Sequence, residues 1–192
     1  MNLPKDYLFQ EAEQKWQVYW EKNNIYSKKK ATKVYSIDTP PPTVSGKMHI
    51  GHAFSYAQGD FIARYQRMQN KFIFYPFGTD DNGLPTERLV EKLKNVRSVA
   101  MDRKKFRELC LKTIQEIKGD FIQPWKDLGI SCNFKNSYST IDEHSQQTSQ
   151  LSFIRLYKQG HVYQEDSPVT WCPTCQTAIA QAEFENVEMD SH

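Results

Sequence analysis

The stretch from Ile37 to His52 reads Ile-Asp-Thr-Pro-Pro-Pro-Thr-Val-Ser-Gly-Lys-Met-His-Ile-Gly-His, and it decides the fold. It joins a strand-like run, residues 34–38, to a run with helical spacing that begins after Gly46. The three prolines at 40–42 must end the strand, because proline has no backbone N–H to donate to a sheet. The stretch therefore predicts a strand, a short loop and a helix, with two imidazoles and a glycine at the helix start.

The spacing of apolar residues predicts the elements on either side. An apolar stripe from Leu8 to Trp20 indicates an N-terminal helix that ends near Asn23. The compact apolar run at residues 71–75 is typical of a second, buried strand. A loop is expected to begin at Gly78, and Pro85 suits the first turn of the next helix. The helix after Gly46 is expected to carry an apolar face made of Phe54, Ala57, Phe61, Tyr65 and Met68.

Two more helices are predicted further along the chain. Asp102 is a candidate cap for the longer one, whose apolar stripe runs from Phe106 to Phe121. Residues 140–143 fit a capping box that opens another helix, which Gly160 would close. In this last helix Leu151, Ile154 and Tyr157 are expected to be buried. The order strand, helix, strand, helices predicts an α/β nucleotide-binding fold with parallel strands.

Composition limits the class of protein. The chain has 192 residues, of which 39% are hydrophobic and 13% aromatic, which is enough for one well-buried core. A disordered, collagen-like or transmembrane protein is therefore not expected. The first residues lack the pattern of a signal peptide, so we expect a cytoplasmic protein without a membrane partner. The net charge is only +2, and four cysteines are too few for a disulfide scaffold.

The helix start at His49 to His52 has the chemistry of a phosphate site. Ligands of parallel sheets bind beyond the carboxyl ends of the strands, where a helix N-terminus offers free N–H groups and the positive end of a dipole. His49 and His52 are three residues apart, so both lie on one helical face and each can donate to a phosphate oxygen. Gly51 has no Cβ, which lets a flat base approach the backbone. A single histidine here would be better read as an exposed side chain beside a helix cap, but the pair with Gly51 favours the phosphate site.

Two other phosphate motifs do not fit the same stretch. A P-loop would need glycine at position 41 and serine or threonine after Lys47, but Pro41 and Met48 are found there. The chain also lacks a Gly-x-Gly-x-x-Gly run for a dinucleotide. The stretch is therefore a phosphate site of a different kind.

Cys172 and Cys175 form a Cys-x-x-Cys knuckle, a spacing that suits zinc. A structural zinc site usually has four ligands, and the sequence offers no second pair of cysteines. The pair is interpreted either as half of a zinc site or as a free dithiol, with the two readings about equally supported.

The same residues resemble a known family. His49-Ile-Gly-His52, with Pro40-Pro-Pro-Thr-Val-Ser-Gly46 before it, is similar to the ATP-binding signature of class I aminoacyl-tRNA synthetases. The prolines with Thr-Val-Ser-Gly, and Gly78-Thr-Asp80, resemble the valyl members most closely. Residues 81–87, Asp-Asn-Gly-Leu-Pro-Thr-Glu, depart from many bacterial valyl enzymes and look more like an archaeal-type subgroup. The likeness extends to Trp171-Cys-Pro-Thr-Cys-Gln-Thr-Ala178, near the end of the chain.

The resemblance implies the first half of a Rossmann-like catalytic domain over residues 34–165. A helical extension would precede it over 1–33. A zinc-knuckle-like segment would follow over 166–192, where the family's inserted editing domain begins. The family's second, lysine-bearing ATP signature is not among the 192 residues. We therefore expect an N-terminal part of a longer enzyme, incomplete for aminoacylation on its own.

The resemblance also implies an activity, ligands and site residues. Family members activate an amino acid with ATP and Mg²⁺ and transfer it to tRNA. The resemblance implies valine and tRNA(Val) as the substrates of this protein. The full-length protein is expected to be a monomer. Zn²⁺ would bind at the cysteine pair. The implied ATP-binding residues are Thr43, His49, Gly51 and His52, of which His49 and His52 are catalytic. Pro41 and Asp80 are the implied ligands of the amino acid's ammonium group.

Three alternatives remain open at this point. The enzyme could be an isoleucyl or another class I synthetase, since valine rests on the flanking residues alone. A nucleotidyltransferase of the same superfamily also uses a His-x-Gly-His helix start, but it would carry Gly-Thr-Phe-Asp upstream, and this is missing here. A remnant that binds nucleotide or tRNA without catalysis is the third alternative.

Overall fold

The computed structural model describes residues 6–27, 33–181 and 188. Five α-helices, one 3-10 helix and six short strands lie in these ranges. The helices are α1 (Phe9–Lys22), α2 (Ile50–Met68), α3 (Leu84–Lys94), α4 (Arg103–Asp127) and α5 (Glu143–Lys158), with the 3-10 helix at Ser98–Ala100. The strands are β1 (Val34–Ser36), β2 (Phe72–Phe74), β3 (Pro76–Thr79), β4 (Asn133–Ser139), β5 (Trp171–Cys172) and β6 (Thr177–Ala178).

The parallel strands predicted from the sequence are present. β1 pairs in parallel with β2, and the Ile37 N–H extends this pairing by donating to the Phe74 carbonyl at 2.9 Å. β3 follows β2 after a single residue, Tyr75, and pairs in parallel with β4. Residues 72–79 are therefore central: they contact β1 first and β4 afterwards. This arrangement confirms the α/β class with parallel strands and an N-terminal helix.

The boundaries of several elements match the local sequence signals. α1 ends at Lys22, next to the predicted Asn23. Pro85 lies in the first turn of α3. The Asp102 side chain accepts from the Lys105 N–H at 3.1 Å and caps α4 as predicted. The division of the chain into 1–33, 34–165 and 166–192 stays a prediction.

Two predicted boundaries are wrong. Gly78 does not begin a loop, because it is paired with Tyr138 inside β3. Thr140 does not cap α5. The cap is Asp142, whose side chain accepts from the Ser145 N–H at 2.7 Å.

The core lies where α2 and α4 cover the central strands. Trp125 of α4 is fully buried there and contacts Phe77 with 5.8 Å between ring centroids. The other buried members of this cluster are Ala63, Ile73, Tyr75, Ile130 and Cys132. The Cys132 thiol is thus a core residue, and burial raises its pKa well above the usual range.

The face of α2 that packs inward is polar as well as apolar. Asp60 is buried and accepts from the Ser131 N–H at 2.7 Å and from Arg64 Nε at 2.6 Å, which attaches α2 to the turn after α4. Buried charged groups need such partners. The apolar face predicted for α2 lies largely at the surface, since four of its five members are exposed: Phe54, Phe61, Tyr65 and Met68.

The burial predicted for α5 is wrong. Leu151, Ile154 and Tyr157 are 44%, 48% and 65% exposed. In the described part of the chain, α5 has no buried residue at all. Apolar spacing identifies a helical face, but it does not supply the element that covers that face.

The described helices were also compared with the length and hydropathy of membrane spans. Among residues 6–27, 33–181 and 188, no helix combines the length and apolar character that crossing a bilayer requires.

Candidate functional site

The two histidines predicted to hold phosphate form the N-terminal cap of α2. His49 is the capping residue, and its Nδ1 accepts from the Gly51 N–H at 3.1 Å. The His49 N–H in turn donates to Nδ1 of His52 at 3.4 Å, and the two ring centroids are 4.0 Å apart. Because Nδ1 of each ring accepts, the ring proton lies on Nε2. Each imidazole is therefore held in the tautomer that has an N–H to donate to a ligand.

The surroundings of His52 favour its neutral form. Its ring is half-buried and contacts the edge of Trp125 with 5.9 Å between centroids. Burial lowers the pKa of His52, and the neighbouring His49 lowers it further. Since its usual pKa is already below 7, His52 is neutral at pH 7 and its Nδ1 stays available as an acceptor.

Gly51 has a local reason to be glycine besides the one predicted. A Cβ at this position would lie 3.0 Å from Cε1 and 3.1 Å from Nδ1 of His49. These distances are tighter than normal van der Waals contact, so a Cβ here would shift the His49 ring by a few tenths of an ångström. The predicted close approach of a base and the observed cap both favour glycine at this position.

The Asp80 carboxylate lies just beyond the end of β3 and is held by hydroxyl groups on both oxygens. Thr43 Oγ1 donates to Oδ2 at 3.1 Å, and Thr140 Oγ1 donates to Oδ1 at 3.1 Å. The backbone of Asp80 also bonds the proline segment, through its N–H to the Pro42 carbonyl at 2.9 Å and its carbonyl to the Val44 N–H at 2.8 Å. The structure thus brings together Asp80 and Thr43, which are 37 residues apart in sequence.

The three prolines present their carbonyls in different ways. The Pro40 carbonyl accepts from the hydroxyl of Tyr56 on α2, and the Pro42 carbonyl accepts from the Asp80 N–H. Within residues 6–27, 33–181 and 188, no hydrogen bond reaches the Pro41 carbonyl. Pro41 thus directly precedes Pro42, the hydrogen-bond partner of Asp80, and its own carbonyl has no donor among these residues.

Two residues of this site were not predicted as functional. Thr140 was interpreted as a helix cap, but its hydroxyl contacts Asp80 instead. Asp81 is buried, and its Oδ2 accepts from Thr79 at 3.0 Å, from Lys118 at 3.3 Å and from Ser139. Recognising β4 as a strand would have placed Ser139 and Thr140 at the carboxyl end of the sheet, where ligand sites form.

The predicted zinc knuckle is a hairpin with two adjacent thiols. β5 and β6 pair antiparallel, and Cys172 Sγ lies 3.1 Å from Cys175 Sγ. The hydrogen bond between them lowers the pKa of Cys172 and raises that of Cys175, whose sulfur also contacts the Arg88 guanidinium. The described ranges contain no group of three His, Cys, Asp or Glu residues placed to hold a metal ion. The geometry fits two of the four ligands of a structural zinc site.

Comparison with known proteins supports the family resemblance found in the sequence. The family model described as tRNA synthetases class I (I, L, M and V) matches residues 15–191. Valine–tRNA ligase of Ehrlichia ruminantium (strain Welgevonden) is 49% identical over 186 residues, which are 96% of this chain and 23% of the relative. Valine–tRNA ligase of Wolbachia sp. subsp. Brugia malayi (strain TRS) is 47% identical over 192 residues, 98% of this chain and 22% of the relative. The archaeal-type subgroup stays a prediction.

A solved structure has a similar fold. It is the ternary complex of Agrobacterium radiobacter K84 agnB2 LeuRS with tRNA and LeuAMS, with a TM-score of 0.66 and 26% identity. The match covers 93% of this chain and 22% of the LeuRS chain. The chain spans less than a quarter of the length of these relatives. Because the family model matches residues 15–191, nearly the whole chain, the protein belongs to the class I tRNA synthetases of the group I, L, M and V.

Proposed function

We propose that this chain carries the part of a valine–tRNA ligase that binds ATP and the ammonium group of valine. In the proposed reaction the valine carboxylate attacks the α-phosphate of ATP, pyrophosphate leaves, and valyl-adenylate forms. The valyl group then passes to the terminal ribose of tRNA(Val), which releases AMP. Both steps depend mainly on positioning and on stabilising charge that develops at phosphorus.

The observation that carries the proposal is the Asp80 carboxylate, which is fixed by two hydroxyl groups and whose backbone N–H bonds the carbonyl of Pro42, the residue after Pro41. An ammonium group has three N–H donors and no acceptor, so it needs acceptors in a fixed arrangement. A carboxylate with a carbonyl nearby provides them, and the bond to the carboxylate is charge-assisted. In the proposal, Pro41 and Asp80 hold the α-ammonium group of the amino acid.

The start of α2 is the proposed ATP site. His49 and His52 would donate from Nε2 to the phosphate oxygens, and this donation strengthens as negative charge builds up at phosphorus. The adenine would pack against the backbone of Gly51, and Thr43 would lie beside the nucleotide. Mg²⁺ would arrive with ATP as part of the substrate, since it prefers phosphate oxygens and water as ligands.

Valine as the amino acid is supported by the relatives, which are named valine–tRNA ligase and are 45–49% identical to this chain. The partners in the proposal are ATP, valine and tRNA(Val). Cys172 and Cys175 would supply two ligands to a structural Zn²⁺, which would hold the knuckle together and take no part in the reaction. The cytoplasmic location and the monomeric state stay predictions.

The proposal is tested by the exchange of pyrophosphate into ATP, which reports adenylate formation. We expect the whole protein encoded by the gene to catalyse the exchange with valine, and much more slowly with isoleucine or leucine. The 192-residue chain is measured in parallel. If the whole protein shows no exchange with any amino acid, it is a non-catalytic remnant. Exchange that is faster with isoleucine than with valine would assign it to another synthetase.

Asp80→Ala is expected to weaken the binding of valine. The KM for valine in the exchange reaction should rise by about tenfold to a hundredfold, because one partner of a charge-assisted pair is lost. The KM for ATP should change little. Asp120→Ala is a matched control, since it removes an exposed carboxylate on α4. A KM for valine that equals the wild-type value in Asp80→Ala would remove Asp80 from the proposed ammonium site.

A further inference from the structure

The backbone of Thr140 is fixed on both sides. Its N–H donates to the Thr79 carbonyl at 3.0 Å, which continues the pairing of β3 with β4 by one residue. The Asp142 carboxylate accepts from the Ser139 N–H at 3.0 Å and from the Ser145 N–H at 2.7 Å. The turn that carries Thr140 is therefore tied to the sheet at its start and to α5 at its end.

The hydroxyl of Thr140 makes every hydrogen bond of which a hydroxyl is capable. It donates to Asp80 Oδ1 at 3.1 Å, and it accepts from the Asp81 N–H at 3.1 Å and from Asn82 Nδ2 at 3.2 Å. A hydroxyl has one proton and two acceptor positions. Because both acceptor positions are used by N–H donors, the proton can only point towards Asp80.

Asp80 is thus oriented from two different elements. Thr43, in the segment after β1, donates to Oδ2, and Thr140, after β4, donates to Oδ1. These two hydroxyl donors fix the rotation of the carboxylate plane, and Oδ1 also accepts from the Asn82 N–H at 3.5 Å. Each carboxylate oxygen has about two acceptor positions, so Oδ2 keeps room for a ligand.

We propose that Thr140 is a positioning residue that determines the affinity for the amino acid by orienting the Asp80 carboxylate towards its ammonium group. The inference rests on the proposed function of Asp80. Thr140 does not touch the amino acid, and it acts only through Asp80. Its effect should therefore appear in the binding of compounds that carry the ammonium group and not in the binding of ATP.

The main test is Thr140→Val in the whole protein encoded by the gene. Valine has the shape of threonine without the hydroxyl, so we expect the KM for valine to rise about tenfold, as for one lost hydrogen bond to a charged group. The KM for ATP should stay close to the wild-type value, because Thr140 contacts none of the residues proposed to bind ATP phosphates. Valinol keeps the ammonium group and lacks the carboxylate, so its inhibition constant should rise by the same factor as the KM for valine. Thr140→Ser keeps a hydroxyl and should restore the wild-type KM.

Controls separate positioning from stability. Thr148→Val makes the same chemical change at an exposed position of α5 and should leave both KM values unchanged. Asn82→Ala removes a donor to the Thr140 hydroxyl from an exposed side chain and should raise the KM for valine about twofold to threefold, the effect of one lost exposed hydrogen bond. If Thr140→Val fails to fold, Asn82→Ala decides the question.

Several results would overturn the inference. One is a wild-type KM for valine in folded Thr140→Val, or in Asn82→Ala where Thr140→Val does not fold. Another is a parallel rise of the KM values for valine and ATP. A third is a Thr140→Ser variant as impaired as Thr140→Val. Each of these results counts against the inference only if the wild-type protein catalyses valine-dependent pyrophosphate exchange. Absence of exchange in the wild type contradicts the proposed function itself, and with it the inference.

Discussion

Replacing His52 with alanine in the whole protein is expected to lower the single-turnover rate of adenylate formation by about two to three powers of ten, the usual loss for one transition-state donor. The reason is the neutral tautomer described above. Nδ1 of His52 is occupied by the His49 N–H, so Nε2–H is the group that remains for a phosphate oxygen. The affinity for valine should change less, because His52 is not one of the groups proposed for the ammonium.

The observed role of Nδ1 of His52 and the proposed role of its Nε2 can be separated by substitution with asparagine and glutamine. Asparagine has its side-chain oxygen near the position of Nδ1 and can keep the hydrogen bond from His49. Glutamine reaches further and has an N–H near the position of Nε2. His52→Asn should therefore keep the stability of the helix start, where a lost cap costs about 1 kcal/mol, but not the rate. His52→Gln should recover part of the rate.

The control for these variants is His144→Ala, which removes an exposed imidazole from α5. Its single-turnover rate should equal that of the wild type. A wild-type rate in His52→Ala would exclude the proposed donor role of His52. Full recovery of the rate by His52→Asn would show that only the helix cap matters.

Gly78→Ala is expected to destabilise the protein by about 3 kcal/mol, at the upper end of the usual cost of overpacking. Gly78 is paired with Tyr138 between β3 and β4. A Cβ at position 78 would lie 2.5 Å from Cε1 and 2.6 Å from the hydroxyl oxygen of Tyr138. The clash is with the ring of the cross-strand partner, so the strands must separate or the ring must leave its place.

The measurement is urea unfolding followed by tryptophan fluorescence, with the midpoint as the readout. Gly119→Ala is the matched control, because a Cβ there has no neighbour within 4 Å and alanine favours a helix by about 1 kcal/mol over glycine. Adding Gly78→Ala to a Tyr138→Ala protein should cost much less than adding it to the wild type. An unchanged midpoint for Gly78→Ala would contradict the close pairing of the two strands at this position.

Local signals in the sequence predicted much of the fold. The cap of α4 by Asp102, the proline in the first turn of α3 and the proline-ended first strand each depend on a few adjacent residues. β4 was missed because Asn-Phe-Lys-Asn-Ser-Tyr-Ser is polar and has neither a continuous apolar run nor clear alternation. The burial of α5 could not be predicted, because burial depends on what packs against a helix.

Some residues of the candidate site could likewise be predicted from local sequence, and others could not. His49, Gly51 and His52 could be recognised from their order and spacing, because a helix cap is a local structure. Asp80 alone would have been interpreted as a turn residue, and its proposed role is the one that the resemblance implies. Thr140 could not be found, since its hydrogen bond to Asp80 crosses 60 positions of sequence and exists only because β3 and β4 are neighbours.

The run of three prolines has a consequence for how a zwitterion can enter this site. Prolines 40 to 42 have no backbone N–H to offer an anion, and of their carbonyls that of Pro41 takes no hydrogen bond from the described residues, so this edge favours a cation. The start of α2 has the opposite character, with N–H groups and the positive end of the helix dipole. Under the proposed function, an amino acid lying between them would have its charges matched in one direction only, with its carboxylate towards α2. This preference would not depend on the amino acid's side chain, and it would bring the nucleophilic carboxylate to the α-phosphate of ATP.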